Sequence, residues 1–365
     1  MDILFAPAVP ACAYRQEESL FKPKLSHSKS YEWFNSPLFK IRYEKALFVV
    51  LRTTDKVFFI IDNKSIYYNM IETKGRVCHT PCCELKGLHS RLAQFLVRIK
   101  KPRYLYSGVK GLSYLDNARV HSVYYETFKT DILGFYSATT QAIVFKFFRN
   151  KMQCSHKVAN ILAELCTLEG KLPTGSQLSM ILAFWANSDM FEQLNQLAQE
   201  HHLVMTVYVD DITFSGAKIP AGFRQQVAQI MSEHGHTMNK KKTRLYQANS
   251  HKEITGLIIN RVGDSPIPPN RFYLKLHNKL AEFNQIYAEI KNGKSKMEED
   301  TLRQLTNHLI GLLNHASQFD KKYKLVKKHI QKQHDDLIQC LQKQGEEKRG
   351  EEKRGFCLEF IPVAP

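Results

Sequence analysis

Three aspartates lie where the sequence predicts that strands of apolar residues end. Asp131 follows SVYYETFKT, and Asp210 and Asp211 lie between VMTVYV and ITFSG. Mg²⁺ prefers carboxylate oxygens, and two divalent ions about 4 Å apart can neutralise the charge that develops when a hydroxyl attacks a phosphate. This chemistry needs carboxylates from at least two elements at one small site. The three aspartates are therefore candidate metal ligands for phosphoryl transfer.

An Asp-Asp pair alone is weak evidence, because aspartate is common in turns. Here the pair lies between two runs of β-branched and apolar residues, 203–209 and 212–215. Such runs predict strands, and their close spacing predicts a hairpin with two carboxylates at its bend. The flanking strands would hold both charges at a fixed place.

Elsewhere the spacing of apolar residues predicts both strands and helices, which indicates the α+β class. Two apolar runs between residues 43 and 68 predict a hairpin, and the spacing over 84–99 predicts a helix. Three apolar stripes with helical spacing follow Pro269 and predict a separate, basic helical subdomain. The repeat GEEKRGEEKRG at 345–355 predicts a charged, disordered tail.

The chain is strongly basic, with 52 Lys and Arg against 35 Asp and Glu and a net charge of +17. Such a surplus can simply maintain solubility, but it also attracts polyanions, and nucleic acid is the favoured partner. An anionic membrane is the weaker alternative on charge. The longest apolar stretches are far shorter than the roughly 18 residues of a membrane span, so we expect no transmembrane helix. We expect no membrane partner and a cytoplasmic location.

Three cysteines and two histidines lie close together in the sequence: Cys78, Cys82, Cys83, His79 and His89. They could form a small zinc site. Their spacing matches no paired Cys-x-x-Cys pattern, so reduced thiols without metal are the favoured interpretation.

The motifs around the aspartates resemble those of reverse transcriptases. YVDD resembles their Tyr-x-Asp-Asp signature, and TDILGFY resembles their first catalytic motif. The order of the motifs also agrees, since a Pro-x-Gly loop lies between these two and a lysine (MNKKKT) and a hairpin follow them. The resemblance implies a right-hand polymerase architecture with fingers, a palm that contains an antiparallel sheet, and a helical thumb. The implied parts are an extension over 1–40, fingers over 41–121, a palm over 122–262 interrupted by fingers at about 139–172, a thumb over 263–342 and the tail over 343–365.

The resemblance also implies the roles of the catalytic residues. Asp131 and Asp210 would ligate two Mg²⁺ ions, with Mn²⁺ as a possible substitute, and Asp211 would be required with a less direct role. Tyr136 lies where these enzymes place an aromatic gate that excludes a ribose 2′-hydroxyl. The alternative is that Tyr136 is a core aromatic beside Phe135.

Three further residues are implied to contact the nucleotide. Arg76, which Lys74 could assist, would bind the incoming triphosphate, and Lys242 would approach the pyrophosphate. Gly175 would let the backbone approach the nascent base pair. Thr174 and Gln177 depart from the residues common at their positions, which puts the polar contacts of that loop to the template in doubt.

Two further motifs resemble those of retron reverse transcriptases. Asn117 to His121 (NARVH) resembles the NAxxH element, and Ile254-Thr255-Gly256 resembles the VTG element with Ile for Val. The resemblance covers roughly residues 40–330. It implies that Asn117, His121, Thr255 and Gly256 act in RNA binding and priming.

A retron enzyme binds its own structured noncoding RNA and starts DNA synthesis from the 2′-hydroxyl of an internal guanosine. Its product is multicopy single-stranded DNA (msDNA) that stays joined to the RNA, and the complex works in bacterial anti-phage defence with a separate effector protein. The basic thumb would grip helical RNA through its phosphates and shape.

Several alternatives remain. One is another bacterial reverse transcriptase, such as a group II intron type or a different defence-associated enzyme, although a group II intron type would carry extensions for which we expect no room. A viral RNA-dependent RNA polymerase, a metal-dependent nuclease and a catalytically silent RNA-binding scaffold are weaker candidates. The intact aspartate triad argues against the scaffold.

Overall fold

The structure is a computed structural model that describes residues 30–73, 75–260, 265–293 and 298–355. It describes their side chains except those of 73, 76 and 343–355. Most of the predicted N-terminal extension and Lys74 therefore lie outside the described residues. Within the described ranges, no helix is long and apolar enough to cross a membrane.

Helices and antiparallel strands both contribute to the fold, which confirms the α+β class. The strands are β1 Tyr68–Thr73, β2 Arg76–Pro81, β3 Glu126–Asp131, β4 Val204–Tyr208, β5 Asp211–Gly216, β6 Arg244–Tyr246, β7 Lys252–Ile254 and β8 Leu257–Ile259. The α-helices are α1 Glu44–Leu51, α2 Lys56–Asp62, α3 Cys83–Val97, α4 Tyr114–Arg119, α5 Phe135–Ala138, α6 Gln141–Lys146, α7 His156–Cys166, α8 Ser179–Ala186, α9 Ser188–Glu200, α10 Phe223–Glu233, α11 Asn270–Lys291, α12 Glu299–Ala316 and α13 Lys322–Gly355. Short 3₁₀ helices cover Trp33–Asn35 and Lys64–Tyr67, and a π-helix covers Phe147–Lys151.

The chain divides into two compact units, and each is built from two separate segments. The first unit comprises the segments up to 102 and from 139 to 187, and the second comprises 103–138 and the chain from 188 onward. Residues 103–121, which we assigned to the fingers, thus belong to the second unit. They lie there because residues 104–106 hydrogen-bond to Val207 of β4. The names fingers, palm and thumb stay predictions.

The first unit contains the β1–β2 hairpin and a core of helices. Helix α3 buries one face, and α8 is buried over most of its surface, as its almost wholly apolar sequence SMILAFWA requires. Trp185 of α8 donates its indole N–H to the carbonyl of Leu96 in α3 at 3.1 Å. His89 lies in this core, where it bonds to Ser176 Oγ at 2.8 Å and Leu165 O at 2.9 Å.

The predicted hairpin over 43–68 is wrong, because the structure has helices α1 and α2 at its two apolar runs. Leu47 and Leu51 are the buried residues of α1, and Val57 and Ile60 are those of α2. These spacings of four and three residues are helical, and the other apolar side chains of both helices are partly or fully exposed. Continuous apolar runs of this length fit a buried strand or a helix equally well, so the sequence pattern was ambiguous.

The second unit contains a four-stranded sheet with the order β4-β5-β3-β6, in which all pairs are antiparallel. The predicted hairpin around the Asp-Asp pair is confirmed as β4 and β5. Helix α10 packs on the sheet through Phe223, whose ring contacts Phe128 of β3 and Phe214 of β5 with centroid separations of 6.0 and 5.1 Å. This aromatic cluster fixes the positions of the two central strands.

The three predicted helical stripes after Pro269 are confirmed as α11, α12 and α13. They share one core, to which each contributes residues at helical spacing: Leu276, Phe283, Ile290, Leu302, Leu309, Leu313, Ala316, Tyr323, Ile330 and Leu337. Helix α13 continues through the charged repeat to Gly355, so the structure has a helix at 345–355 where we predicted disorder. Glu, Lys and Arg favour helices, and opposite charges three or four residues apart support them. Residues 356–365 of the predicted tail lie outside the described residues.

Candidate active site

The three aspartates meet at one end of the central strands. Asp131 is the last residue of β3, and its register partner is Asp211, the first residue of β5. Asp210 lies in the turn before Asp211, and its carbonyl accepts a hydrogen bond from the N–H of Ile132 at 3.0 Å. Antiparallel pairing therefore brings carboxylates from two elements together, as the sequence predicted, and Asp131 is only 2% exposed.

The turn that carries Asp210 has a strained backbone. Val209 and Asp210 form a two-residue turn between Tyr208 and Asp211, and Val209 has φ +60°. A β-branched residue at positive φ costs about 1–3 kcal/mol and is found mainly where function requires it. The N–H of Val209 donates to Ser107 Oγ at 2.9 Å, and this hydrogen bond helps hold the turn.

The carboxylates repel one another because they are close and largely buried. Burial, and then the neighbouring charge of Asp131, raises the pKa of Asp210 to about 6. Burial also raises the pKa of Asp211, although the charge of Lys129 acts in the opposite direction. A site that raises the pKa of carboxyl groups in this way would gain from a bound cation.

Two lysines and one asparagine contact these carboxylates. Lys242 Nζ lies 2.7 Å from Asp131 Oδ2, and Lys129 Nζ lies 3.5 Å from Asp211 Oδ2. Asn239 donates its side-chain N–H to Asp131 Oδ1 at 2.9 Å and its backbone N–H to Asp131 O at 2.8 Å. The hydrogen bond with Asp131 raises the pKa of Lys242, which therefore stays charged. Lys242 was predicted from the resemblance, whereas Lys129 and Asn239 were not.

The donor set suits a hard divalent cation, because three carboxylates from two neighbouring elements converge on one place. Among the residues that the structure describes, no group of three or more His, Cys, Asp and Glu side chains is placed so that it could hold a metal ion. Asp131, Asp210 and Asp211 stay the ligands that the sequence predicts for such an ion.

Tyr136 lies beside the aspartates, and its neighbour Phe135 lies in the core. Phe135 is 3% exposed and packs on Phe191, with ring centroids 6.1 Å apart. Tyr136 is half-buried, and its pKa is raised by burial and then by the charge of Asp210. Phe135 is thus the core aromatic residue of the two, and the role of Tyr136 as a gate stays a prediction.

Arg76 and Gly175 belong to the first unit, whereas the aspartates belong to the second. Arg76 begins β2, and its side chain lies outside the described part of the chain. A Cβ atom on Gly175 would lie 2.6 Å from Thr80 Oγ1 and 2.7 Å from His79 O. The structure thus provides a local reason for this glycine, which is close packing against β2. Its predicted contact with the nascent base pair stays a prediction.

Asn117 and His121 of the NAxxH element are buried, with exposed fractions of 1% and 2%. His121 bonds through Nδ1 to Ser215 Oγ at 2.7 Å and through Nε2 to Thr206 Oγ1 at 2.8 Å. It thereby links β4 to β5, the two strands that flank the Asp-Asp turn. Burial, assisted by the charge of Lys252, lowers the pKa of His121 to about 3. The role of Asn117 and His121 in priming stays a prediction. Because both side chains are buried, they could affect bound RNA only through the residues that they contact.

The VTG element forms the turn of the β7–β8 hairpin and lies against the NAxxH helix. Thr255 and Gly256 both have positive φ, at +46° and +78°, as tight two-residue hairpin turns require. Thr255 Oγ1 donates to the carbonyl of Tyr114 in α4 at 2.9 Å. Ala118 of α4 packs with Ile254 and Leu257, among others, in one small core. The two motifs thus form a single structural unit.

Lys252 of β7 is fully buried beside these motifs. Its Nζ donates to the carbonyls of Ser122 at 3.0 Å and Val123 at 2.8 Å, and also to that of Tyr125. Burial lowers the pKa of Lys252 to about 8. These bonds fix the loop that leads into β3 and so help to determine where Asp131 lies. The sequence showed no signal for this role, since a lysine in a strand is ordinarily exposed.

The residues of the suggested zinc cluster do not form one site. Cys78, Cys82 and Cys83 are not in disulfides, and the two ring nitrogens of His89 bond to Ser176 and Leu165. Burial lowers the pKa of His89 to about 4, which keeps it neutral in the core.

Comparison with known proteins finds several retron reverse transcriptases that are similar to this chain. Retron Se72 reverse transcriptase of Salmonella heidelberg is 26% identical over 215 residues, which are 55% of this chain and 56% of that protein. Retron Ec86 reverse transcriptase of Escherichia coli is 26% identical over 193 residues, 52% of this chain and 60% of that protein. Retron Ec48 reverse transcriptase of Escherichia coli is 24% identical over 287 residues, 72% of this chain and 67% of that protein. The chain thus matches little more than half the length of the first two.

No protein-family model matches the chain. Solved structures similar to it include apo telomerase from Candida tropicalis, with a TM-score of 0.42, 13% identity and coverage of 79% of this chain and 67% of that chain. They also include the foamy viral protease-reverse transcriptase in complex with an RNA/DNA hybrid. Its TM-score is 0.38 at 15% identity, and the match covers 75% of this chain and 33% of that chain.

Proposed function

We propose that this chain, which its sequence similarity identifies as a retron-type reverse transcriptase, is an RNA-directed DNA polymerase that uses Mg²⁺. The observation that carries the proposal is the convergence of Asp131, Asp210 and Asp211 at the ends of paired strands. Bound divalent ions would supply charge neutralisation for the attacking hydroxyl and the leaving pyrophosphate.

Residues of the chain would provide the positioning. Asn239 donates a hydrogen bond to one oxygen of the Asp131 carboxylate, which fixes the orientation of that carboxylate. The turn at Val209 presents Asp210 and Asp211 to the same space, and Tyr136 borders it. Lys242 carries a positive charge that can follow the phosphates of a nucleotide. Fixed groups of this kind favour the transition state because they need little reorganisation.

Tyr136→Ala is expected to admit ribonucleotides while it retains measurable DNA synthesis. The ring would exclude the 2′-hydroxyl sterically, so its removal should relax sugar selection by about 10–100-fold or more while chemistry slows less. Tyr136→Phe is the matched control, because it keeps the ring and should keep selection. Rates with dNTPs and rNTPs on a primed RNA template provide the measurement. Unchanged discrimination in Tyr136→Ala would show that the gate lies elsewhere.

We further propose that the template is a cognate structured noncoding RNA and that priming uses a 2′-hydroxyl of that RNA. The proposal includes RNA-linked msDNA as the product, a bacterial cytoplasmic location and a role in anti-phage defence with a separate effector protein. Its support is the similarity to retron reverse transcriptases and the packing of the NAxxH and VTG elements into one unit. The net charge of +17 suits an RNA partner.

Co-expression with the RNA encoded next to the gene tests this proposal. The purified protein should carry single-stranded DNA attached to RNA, and the attachment should resist proteinase and heat. RNase should leave a short branched ribonucleotide remnant on the DNA. Asp210→Asn is the control and should yield the RNA without DNA. DNA that separates from RNA with no branch would indicate an ordinary reverse transcriptase, and RNA without DNA from the unaltered protein would indicate a scaffold.

A further inference from the structure

We propose that Lys129 and Lys242 are internal counter-cations that hold the metal-free aspartate site together and weaken its affinity for divalent ions until they are displaced. The inference rests on the proposed function, since it concerns the same carboxylates. It assigns these lysines a role before the nucleotide arrives, which is distinct from any contact with pyrophosphate.

The first observation is the distribution of charge. Asp131 has an ion pair with Lys242, and Asp211 has one with Lys129. Asp210 is the third carboxylate, and the negative charge of Asp131 acts on it at short range. Three negative charges therefore face two positive ones, which leaves a net charge of about −1. The lysines make it possible for the carboxylates to lie side by side without a metal.

The second observation is that the two lysines come from different elements and differ in exposure. Lys129 lies two residues before Asp131 in β3, so both side chains point to the same face of the sheet, and the Lys129 side chain is only 14% exposed. The Lys242 side chain is 57% exposed, although its partner Asp131 is almost fully buried. Lys242 can therefore move into solvent at small cost, whereas Lys129 has less freedom.

Two divalent ions would make the net charge of the site positive, since they would bring four positive charges to three carboxylates. The ammonium groups would then be repelled by the metals. Lys242 would leave Asp131 Oδ2 and become available to the phosphates of a bound nucleotide. Metal binding would thus be coupled to release of this lysine, and each would favour the other.

The test measures metal affinity in the absence of nucleic acid and nucleotide. MnCl₂ is titrated into the metal-free protein, and free Mn²⁺ is followed by electron paramagnetic resonance. Lys242→Met and Lys129→Met should each bind Mn²⁺ at least about fivefold more tightly than the unaltered protein. Lys242→Arg should retain the original affinity, because it keeps the charge. Lys240→Met, which removes an exposed charge from the same turn, is the matched control and should change the affinity by less than about twofold.

Melting temperatures give a second readout. In EDTA, Lys242→Met and Lys129→Met should each have a lower melting temperature than the control Lys240→Met. Adding MgCl₂ should raise the melting temperature of these two variants by more than that of the control. Equal affinities in Lys242→Met, Lys129→Met and Lys240→Met would overturn the inference, as would an equal loss of melting temperature in EDTA and in MgCl₂. If Asp131→Asn leaves Mn²⁺ binding unchanged, the aspartates are not the metal site and the proposed function fails. Normal DNA synthesis with equal affinities would refute the counter-cation role alone.

Discussion

Asp131→Asn and Asp210→Asn are each expected to abolish DNA synthesis while the protein stays folded. Each change removes one negative oxygen ligand from a site at which three carboxylates act together, and the loss in rate should be at least about 10³-fold. The fold should tolerate the change, because an amide has nearly the same shape and the site already suffers from repulsion. Burial and Asp131 raise the pKa of Asp210 to about 6, so its charge is unfavourable at neutral pH.

Primer extension on an RNA template and thermal melting in EDTA provide the two measurements. Asp210→Asn should melt no lower than the unaltered protein at pH 7, since it removes an unfavourable charge. Asp116→Asn is the control, because Asp116 belongs to the cap of α4 and pairs with Ser113 rather than with the site. It should lower stability slightly, by about 1 kcal/mol, and preserve synthesis. Near-normal extension by either catalytic variant would show that the triad assignment is wrong.

Acid is expected to destabilise the protein through His121. The pKa of His121 is about 3 in the folded protein, against about 6.5 in an unfolded chain. The unfolded chain therefore binds the proton more readily, and the stability that neutral His121 contributes is lost as the pH falls from about 6.5 toward 3. Between pH 7 and pH 5 this one group should lower the free energy of unfolding by about 2 kcal/mol.

His121→Gln separates this effect from the other groups that titrate. Gln can still hydrogen-bond to Thr206 or Ser215 but has no charge to gain. The variant should be less stable at pH 7, and its stability should depend on pH less than that of the unaltered protein by about 2 kcal/mol between pH 7 and pH 5. His277→Gln, at an exposed position on α11, is the control. Denaturant unfolding at both pH values measures the difference, and parallel pH profiles for both variants would contradict the assignment.

The meeting of the three aspartates was predictable from the sequence because it depends on short-range pattern. Two predicted strands with only two aspartates between them favour a tight hairpin, and a third strand that ends in Asp131 needs only antiparallel pairing to bring the carboxylates together. The helices after Pro269 were equally clear, since each repeats its apolar stripe over several turns.

The remaining features depend on tertiary contacts that no local pattern encodes. Helices α1 and α2 were mistaken for strands because a run of five or six apolar residues fits both the two-residue period of a strand and the 3.6-residue period of a helix. Asn239 and Lys252 act on partners that lie 108 and more than 120 residues away in sequence. Lys129 is an exception, because alternation along β3 places it on the same face as Asp131 and could have indicated the ion pair.

The ammonium group of Lys252 has a consequence for how the protein responds to its ionic medium. Converging carbonyl oxygens around one positive charge are also the ligands that a bound sodium or potassium ion would use. Here the cation is attached to the chain, so its effective concentration is set by the backbone and not by the solution. The loop that enters β3 should therefore keep its shape in any monovalent salt. Salt would act instead on counterion release if the chain binds RNA as proposed, so that this affinity would vary with salt while the geometry around Asp131 would not.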